Sequence, residues 1–446
     1  TAIYTEATTD LTFDLSVETQ ANGEVFKTLE NLEAGSGDDT LHGNAADNRL
    51  VGNAGDDTLE GVGGADTLIG GEGTDTAVYD EAGSGVTIDL DQESQATGDT
   101  LKEIENVVGS ANADVLKGQT SASDIDGANR LAGGAGDDTL IGRSGDDTLL
   151  GETGADRLEG GSGRDVLEGG EGDDSLAGNA GDDTLRGGPG ADTIAGGGGD
   201  DTIVLAAGDD WTSDSVDGGS GDDRVELDIS AGSTIEWASL DLANIETFAF
   251  VQGGGHLQLQ DGADDAFGAG LQLEGVATVS GRGGDDSIEI NSTAGVRVSG
   301  GAGSDTLQGG SGDDEFVLTA ADVGADSVHG GDGTDRIAIG AVAGDTIAHP
   351  DLTYSDIEVL SYAPGGGRLE LDASGGVAFG QNVELEGIAT VAARGGDDVV
   401  DITSDQGVLI SGGAGSDTLT GSSHADTIAG GAGADTLSGG AGDDTF

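Results

Sequence analysis

The sequence predicts an all-β fold, a solenoid of short parallel strands, and three observations predict it. A nine-residue period, with Gly at its first, second and fourth places and Asp at its sixth, recurs along the chain. An aliphatic residue holds the eighth place in phase with that Asp. Gly supplies 88 of 446 residues with only three Pro, against a usual Gly share of roughly 7%. Without a Gly-X-Y period this excludes collagen, and Gly recurs too often for any helix to extend.

The period is strictest from Gly133 to Val204, where eight nonamers follow without a gap, among them GGAGDDTLI, GRSGDDTLL and GETGADRLE. Position six is Asp138, Asp147, Asp156, Asp165, Asp174, Asp183, Asp192 and Asp201. Position eight is Leu140, Leu149, Leu158, Leu167, Leu176, Leu185, Ile194 and Ile203. Five more nonamers span 34–78, with Asp39, Asp57, Asp66 and Asp75 at position six. Scattered ones supply Asp114, Asp223, Asp286, Asp305, Asp314, Asp335, Asp398, Asp417, Asp426 and Asp435, and a last one, cut off at Phe446, supplies Asp444. Low hydrophobicity and high charge are also the composition of a disordered chain. Disorder, however, gives no reason to keep an aliphatic residue in phase with an Asp.

The nonamer divides in two. Its first six residues, Gly at one, two and four, read as a turn. The last three, such as Thr139-Leu140-Ile141, read as a short strand with its middle side chain inward. Two nonamers then make a coil of about 18 residues, and coils stack about 4.8 Å apart with strands in parallel. The interior holds little beyond two columns of Leu, Ile and Val, too thin to offset the conformational entropy of so much Gly.

Stacking also brings position-six carboxylates of successive coils to about 5 Å, where like charges repel unless a cation lies between them. The donors on offer are carboxylates and turn carbonyls, with no His or Cys at fixed places. Hard oxygen donors in a flexible turn suit Ca²⁺ better than Mg²⁺ or Zn²⁺. About 20 ions would cancel about 40 charges. The net charge of −72 agrees with a cation as partner and argues against nucleic acid or an anionic membrane, both polyanions. No Cys is present, which excludes disulfides and thiolate sites. No apolar run approaches the roughly 18 residues a membrane span requires, and Thr1–Glu6 carries no mark of a signal peptide.

GGAGDDTLI and its neighbours resemble the glycine-rich nonapeptide of the repeats-in-toxin (RTX) family. The resemblance implies a right-handed parallel β-roll, or β-helix, with Ca²⁺ between adjacent turns. It implies ligation by the position-six Asp side chains and by turn carbonyls, here Gly134, Gly136, Gly161, Gly163, Gly170, Gly172, Gly188, Gly190, Gly301, Gly303, Gly413, Gly415, Gly431 and Gly433. It further implies an extracellular bacterial protein exported by type I secretion. Some turns depart from the pattern: Asn48 and Asn129 stand at position six, Arg143 and Glu152 at position two, His424 at position four. Those turns are expected to bind weakly or not at all. Asp at position five, such as Asp137, reads as a solvated turn residue.

Longer periods organise the chain. A strand-rich spacer (1–33) precedes a nonamer block (34–78). A second spacer (79–108) repeats 4–33 at an offset of 75 residues, and a second block (109–204) and a connector (205–214) follow. Two modules, 215–326 and 327–438, are related by a 112-residue period, and a truncated nonamer closes the chain at 439–446. Stretches poor in the Asp motif, such as Thr247–Val251 and Arg368–Leu371, alternate apolar and polar residues and read as half-buried parallel strands. Each insert contains an aliphatic-Glu step (Glu30, Glu105, Glu246, Glu358), read as an outward Glu beside an inward aliphatic residue.

No catalytic constellation is found: no HExxH, no GxSxG and no Cys nucleophile. The five His (His42, His256, His329, His349, His424) are scattered and read as solvent-facing, and Trp211 and Trp237 as packing or capping residues. The chain is therefore expected to be no enzyme. It reads as an extracellular calcium-binding structural protein that folds after secretion into a rigid scaffold. A surface layer, filament or adhesin is the expected form, with self-association into arrays or filaments. The later modules resemble those of RTX-type bacterial surface-layer proteins. The alternative is the repeat region of a secreted hydrolase or toxin, since the last nonamer is incomplete and the natural protein is expected to be longer.

Overall fold

The computed structural model describes all residues but 18–28, 121–126, 210, 231–232, 237–240, 251–254, 259–265, 268–271, 275, 282–283, 320–325, 341–345, 349–352, 364–366, 371–377, 380–383, 387, 394–395 and 405. Trp237, His349, Val251 and Leu371 lie outside the described residues. Strands and turns, with no helix, make up those residues. Their strands pair in parallel, and the chain is a parallel β-solenoid. Ser94 and Thr100 form an isolated antiparallel bridge within the second spacer.

The chain packs as two compact units, Thr1–Asp228 with Ser239–Glu246, and Ile229–Ala238 with Thr247–Phe446. The division falls inside the 215–326 repeat. In the first unit the strands Thr139–Ser144, Arg157–Ser162, Ser175–Ala180 and Thr193–Gly198 stack as one wall. Strands Arg130–Ala135, Thr148–Thr153, Val166–Glu171 and Thr184–Arg186 form the facing wall. Alternate nonamers feed alternate walls, so each strand pairs with the one 18 residues on: Leu140 with Leu158, Leu158 with Leu176, Leu131 with Leu149. The second unit is wound from longer coils, for example Glu315–Thr319 against Arg336–Gly340 and then Val359–Ala363.

Position eight fills the core. Leu140, Leu149, Leu158, Leu167 and Leu185 are fully buried, as are Phe316, Ile337 and Leu369 in the second unit. Burial of a Leu side chain contributes about 1.5–3 kcal/mol, but each coil brings only two such residues. The core is as thin as the sequence indicates.

The strands are longer than the sequence suggests. Thr139–Ser144 runs through position nine into the first three places of the next nonamer, where a three-residue strand is expected. Pairing skips Gly142 and resumes at Arg143 with Gly161 and Ser144 with Ser162, so position one is a bend within the strand rather than the start of the turn. The turn itself contracts to positions four to six. Gly163 shows why position four resists a side chain: φ is 127°, and a Cβ there would also lie 2.1 Å from the carbonyl oxygen of Gly145 one coil away.

Candidate metal centres

Of the 23 position-six Asp residues named above, all but Asp435 and Asp444 are buried. Register places them in columns, one carboxylate per coil. Within a column Oδ1 of each Asp accepts the backbone N–H of the position-six residue one coil earlier: Asp138 to Asp156 at 2.7 Å, Asp156 to Asp174 and Asp174 to Asp192 at 2.8 Å. The neighbouring column runs Asn129, Asp147, Asp165, Asp183, Asp201, Asp223 by the same bond. In the second unit Asp398 donates to Asp417 and Asp314 to Asp335.

The second oxygen divides the turns into two classes. In the open class Oδ2 is buried without a hydrogen-bond partner. Among the described residues this holds for Asp57, Asp75, Asp138, Asp147, Asp156, Asp165, Asp174, Asp183, Asp192, Asp201, Asp223, Asp335 and Asp417. In every one of these turns residue two has a left-handed φ, which turns its N–H away from the carboxylate. In the closed class residue two is not left-handed and its N–H donates to the position-six side chain. Gly35 caps Asp39 (3.1 Å), Ser110 caps Asp114 (2.5 Å), Gly310 caps Asp314 (2.9 Å) and Ser422 caps Asp426 (2.6 Å).

The open turns have what a hard cation requires. Burial pushes the carboxyls of Asp138, Asp147, Asp174 and Asp183 up to about 7, with the neighbouring carboxylates of the column adding to the shift. Asp57, Asp165, Asp192 and Asp201 rise to about 6 for the same first cause. An ionised carboxylate oxygen buried without a partner costs several kcal/mol, and a row of them is untenable at neutral pH without a counter-charge. Around each Oδ2 there is also a cradle of oxygen. A Cβ built on Gly142 would meet Asp147 Oδ2 at 2.3 Å and the carbonyl oxygen of Gly160 at 2.6 Å. The fourteen Gly expected to offer turn carbonyls all lie at positive φ. Several of those carbonyls, including Gly136, Gly163, Gly172 and Gly415, bear directly on the next turn of their column. Buried carboxylate and carbonyl oxygen without nitrogen or sulfur is the donor set of Ca²⁺, and the residues present fit that ion.

The degenerate turns sort differently from their sequence. Asn48 and Asn129 are closed: Oδ1 accepts the N–H of Asn44 and of Gln119, and Nδ2 donates to the carbonyls of Glu30 and Glu105. The turn with His424 is also closed, through Ser422. Arg143 and Glu152, by contrast, sit in open turns at φ 80° and 74°. Arg143 is held there by its guanidinium, which donates to both oxygens of Asp89, to Asp91 and to the Gly118 carbonyl. Position-five Asp side chains are exposed, and they also join coils: Asp137 accepts the N–H of Ala155 and Asp146 that of Arg164.

The columns include carboxylates that lie outside any nonamer. Asp99 accepts the N–H of Asp66, Asp214 that of Asp192 and Asp326 that of Asp305. Each precedes a Thr or Ser and an aliphatic residue, as position six does, but the turn leading to it has the wrong length for the period. The Asp-[Ser/Thr]-aliphatic tripeptide is the signal that would have found them.

Among the described residues one group mixes nitrogen with carboxylate: His42, Glu60 and Glu81. His42 pairs in register with Asp14 and Glu60, and its ring nitrogens lie 3.2 and 3.3 Å from their carboxylates. His256 and His329 meet hydroxyls, of Thr278 and Ser355.

A family model described as RTX calcium-binding nonapeptide repeat (4 copies) matches residues 30–59, 42–77, 125–158, 150–185, 177–211, 213–228, 297–319, 320–341 and 410–446. Together these cover just over half of the chain. No curated protein matches it.

Proposed function

The chain belongs to the RTX calcium-binding nonapeptide repeat family and is a calcium-binding repeat protein; from that premise we propose that it is an extracellular structural protein whose fold is switched on by calcium after secretion. The observation that carries this is the row of buried, partnerless Oδ2 atoms along the Asp138–Asp192 and Asp147–Asp223 columns. With a thin core and a net charge of −72, the chain has little to hold it together where Ca²⁺ is scarce. Unfolded, it is fit to thread a type I export channel. Outside, where modules of this kind bind Ca²⁺ with Kd about 10⁻⁴–10⁻³ M, the ions, about 20 of them, fill the columns and the coils lock.

The folded product serves as a stiff scaffold that self-associates in a surface layer, filament or adhesin, and it carries no catalysis of its own. Support comes from repeats that occupy both units. Electron microscopy of the purified protein tests this. Ordered arrays or fibres in millimolar CaCl₂ that disperse in EDTA are the expected result. Isolated particles in both conditions, with activity on peptide or lipid in a chain that joins these repeats to a catalytic domain, would instead identify the repeat region of a secreted hydrolase or toxin.

A further inference from the structure

Three columns end on a glutamate that belongs to no nonamer. Oε2 of Glu105, Glu246 and Glu358 accepts the backbone N–H of Asp75, Asp223 and Asp335, each at 2.8 Å. This is the bond that a position-six Asp makes to the coil before it. The backbone repeats the match at two of them: the N–H groups of Asn106 and Val359, the next residues, donate to the carbonyls of Asp75 and Asp335 at 2.9 Å, as Thr76 at position seven does to Asp57. Asn106 and Val359, the residues after two of them, pair in register with Thr76 and Arg336, which hold position seven. Each glutamate thus occupies position six of a turn that has lost most of its length.

The residue two places earlier completes the likeness. Glu103, Asn244 and Asp356 have φ of 53°, 52° and 51°, and their carbonyl oxygens stand where the next coil's first Gly would offer its own. A Cβ built on Gly70, Gly218 or Gly330 would lie 2.1, 2.1 or 1.8 Å from those oxygens. It would also lie 2.2, 2.7 or 2.5 Å from Oδ2 of Asp75, Asp223 or Asp335. These three Asp residues are fully buried, and each Oδ2 lacks a partner. A carbonyl, a buried Asp oxygen and a carboxylate therefore converge at each column end, as they do between two complete turns.

We propose that Glu105, Glu246 and Glu358 are calcium ligands, and that the tripeptides Glu103-Ile104-Glu105, Asn244-Ile245-Glu246 and Asp356-Ile357-Glu358 are minimal end turns that complete the last ion site of their columns. The inward aliphatic residue of the step anchors the cap, with Ile104 and Ile357 buried. The inference rests on the calcium reading above and extends it to residues outside the repeat. It also gives the columns a polarity. Closed turns at their beginnings need no ion, and the glutamate caps at their ends do.

Native mass spectrometry of the whole chain in calcium tests the proposal by counting ions. Gln can still accept the Asp N–H, so Glu105→Gln, Glu246→Gln and Glu358→Gln should fold at saturating calcium, checked by far-UV circular dichroism. Each single variant is expected to carry one ion fewer than the parent and the triple variant three fewer, whereas exposed Glu30→Gln keeps the full count. Single variants that fold and retain every ion overturn the ligand role while leaving the calcium reading intact. A parent chain that carries no calcium at all overturns both.

Discussion

Asp165 and Asp114 stand at the same place in the repeat and live in different electrostatic conditions. At Asp165 residue two, Gly161, is left-handed at φ 125° and Oδ2 is buried without a partner. At Asp114 residue two, Ser110, donates its N–H to Oδ2 and its hydroxyl to Oδ1 at 3.0 Å. The residue type at position two does not decide between them, since Gly35 and Gly310 cap closed turns while Arg143 and Glu152 adopt the open geometry. Place in the column decides. Closed turns receive the N–H of a spacer or insert residue, Leu11 for Asp39, Val86 for Asp114, Val296 for Asp314 and Val408 for Asp426. Open turns such as those of Asp156 and Asp165 have another position-six residue upstream. Among these turns, one with no like turn before it closes on itself, and one inside the stack is left open for an ion.

The largest effect should come from breaking an open turn. Asp165→Ala is expected to raise the calcium midpoint of folding by on the order of tenfold, equivalent to about 1.4 kcal/mol, and to lower the bound-ion count. Asp114→Ala should cost about 1 kcal/mol for its lost hydrogen bonds with the ion count unchanged. Equal ion loss in the two variants would erase the distinction between the classes.

Acidity sharpens the comparison next. The open-turn carboxyls are raised by burial toward 6–7 in the folded chain, above about 3.9 when unfolded. The metal-free fold therefore binds more protons than the unfolded chain, and this contribution to stability is lost as pH rises from about 4 through 7. In EDTA, β-structure measured by circular dichroism should increase as pH falls from 8 to 5. With calcium present, the midpoint should instead shift to higher calcium over the same range, because protons compete for the same oxygens. A pH-independent midpoint would contradict the assignment of these groups.

A smaller change is expected at the strained position two. A non-Gly residue in the left-handed region costs about 1–2 kcal/mol, so Glu152→Gly should stabilise the calcium-loaded fold by about 1 kcal/mol in thermal denaturation. Asp137→Ala should do least. It removes one exposed coil-to-coil hydrogen bond, and in a calcium titration its midpoint should move far less than that of Asp138→Ala.

Much of this was legible in the sequence because a solenoid repeats its physics every coil. The phase of Leu140 to Asp138 was enough to give inward and outward faces, parallel walls and carboxylate columns. The extension of strands past Gly142 was not legible, since it depends on pairing with a coil 18 residues away. Nor were the closed turns, which differ from open ones by a single φ. Asp99, Asp214 and Asp326 were hidden by turns of irregular length. In sequence the glutamates read as coil-edge residues, because only register places Glu105 where an Asp stands in a complete turn.

The central claim is that ions between buried carboxylates hold the coils together. Far-UV circular dichroism of the same sample in EDTA and then in millimolar CaCl₂ tests it most directly. A disordered spectrum that converts to a β spectrum on adding calcium is the expected result; a β spectrum already complete in EDTA at neutral pH would contradict it.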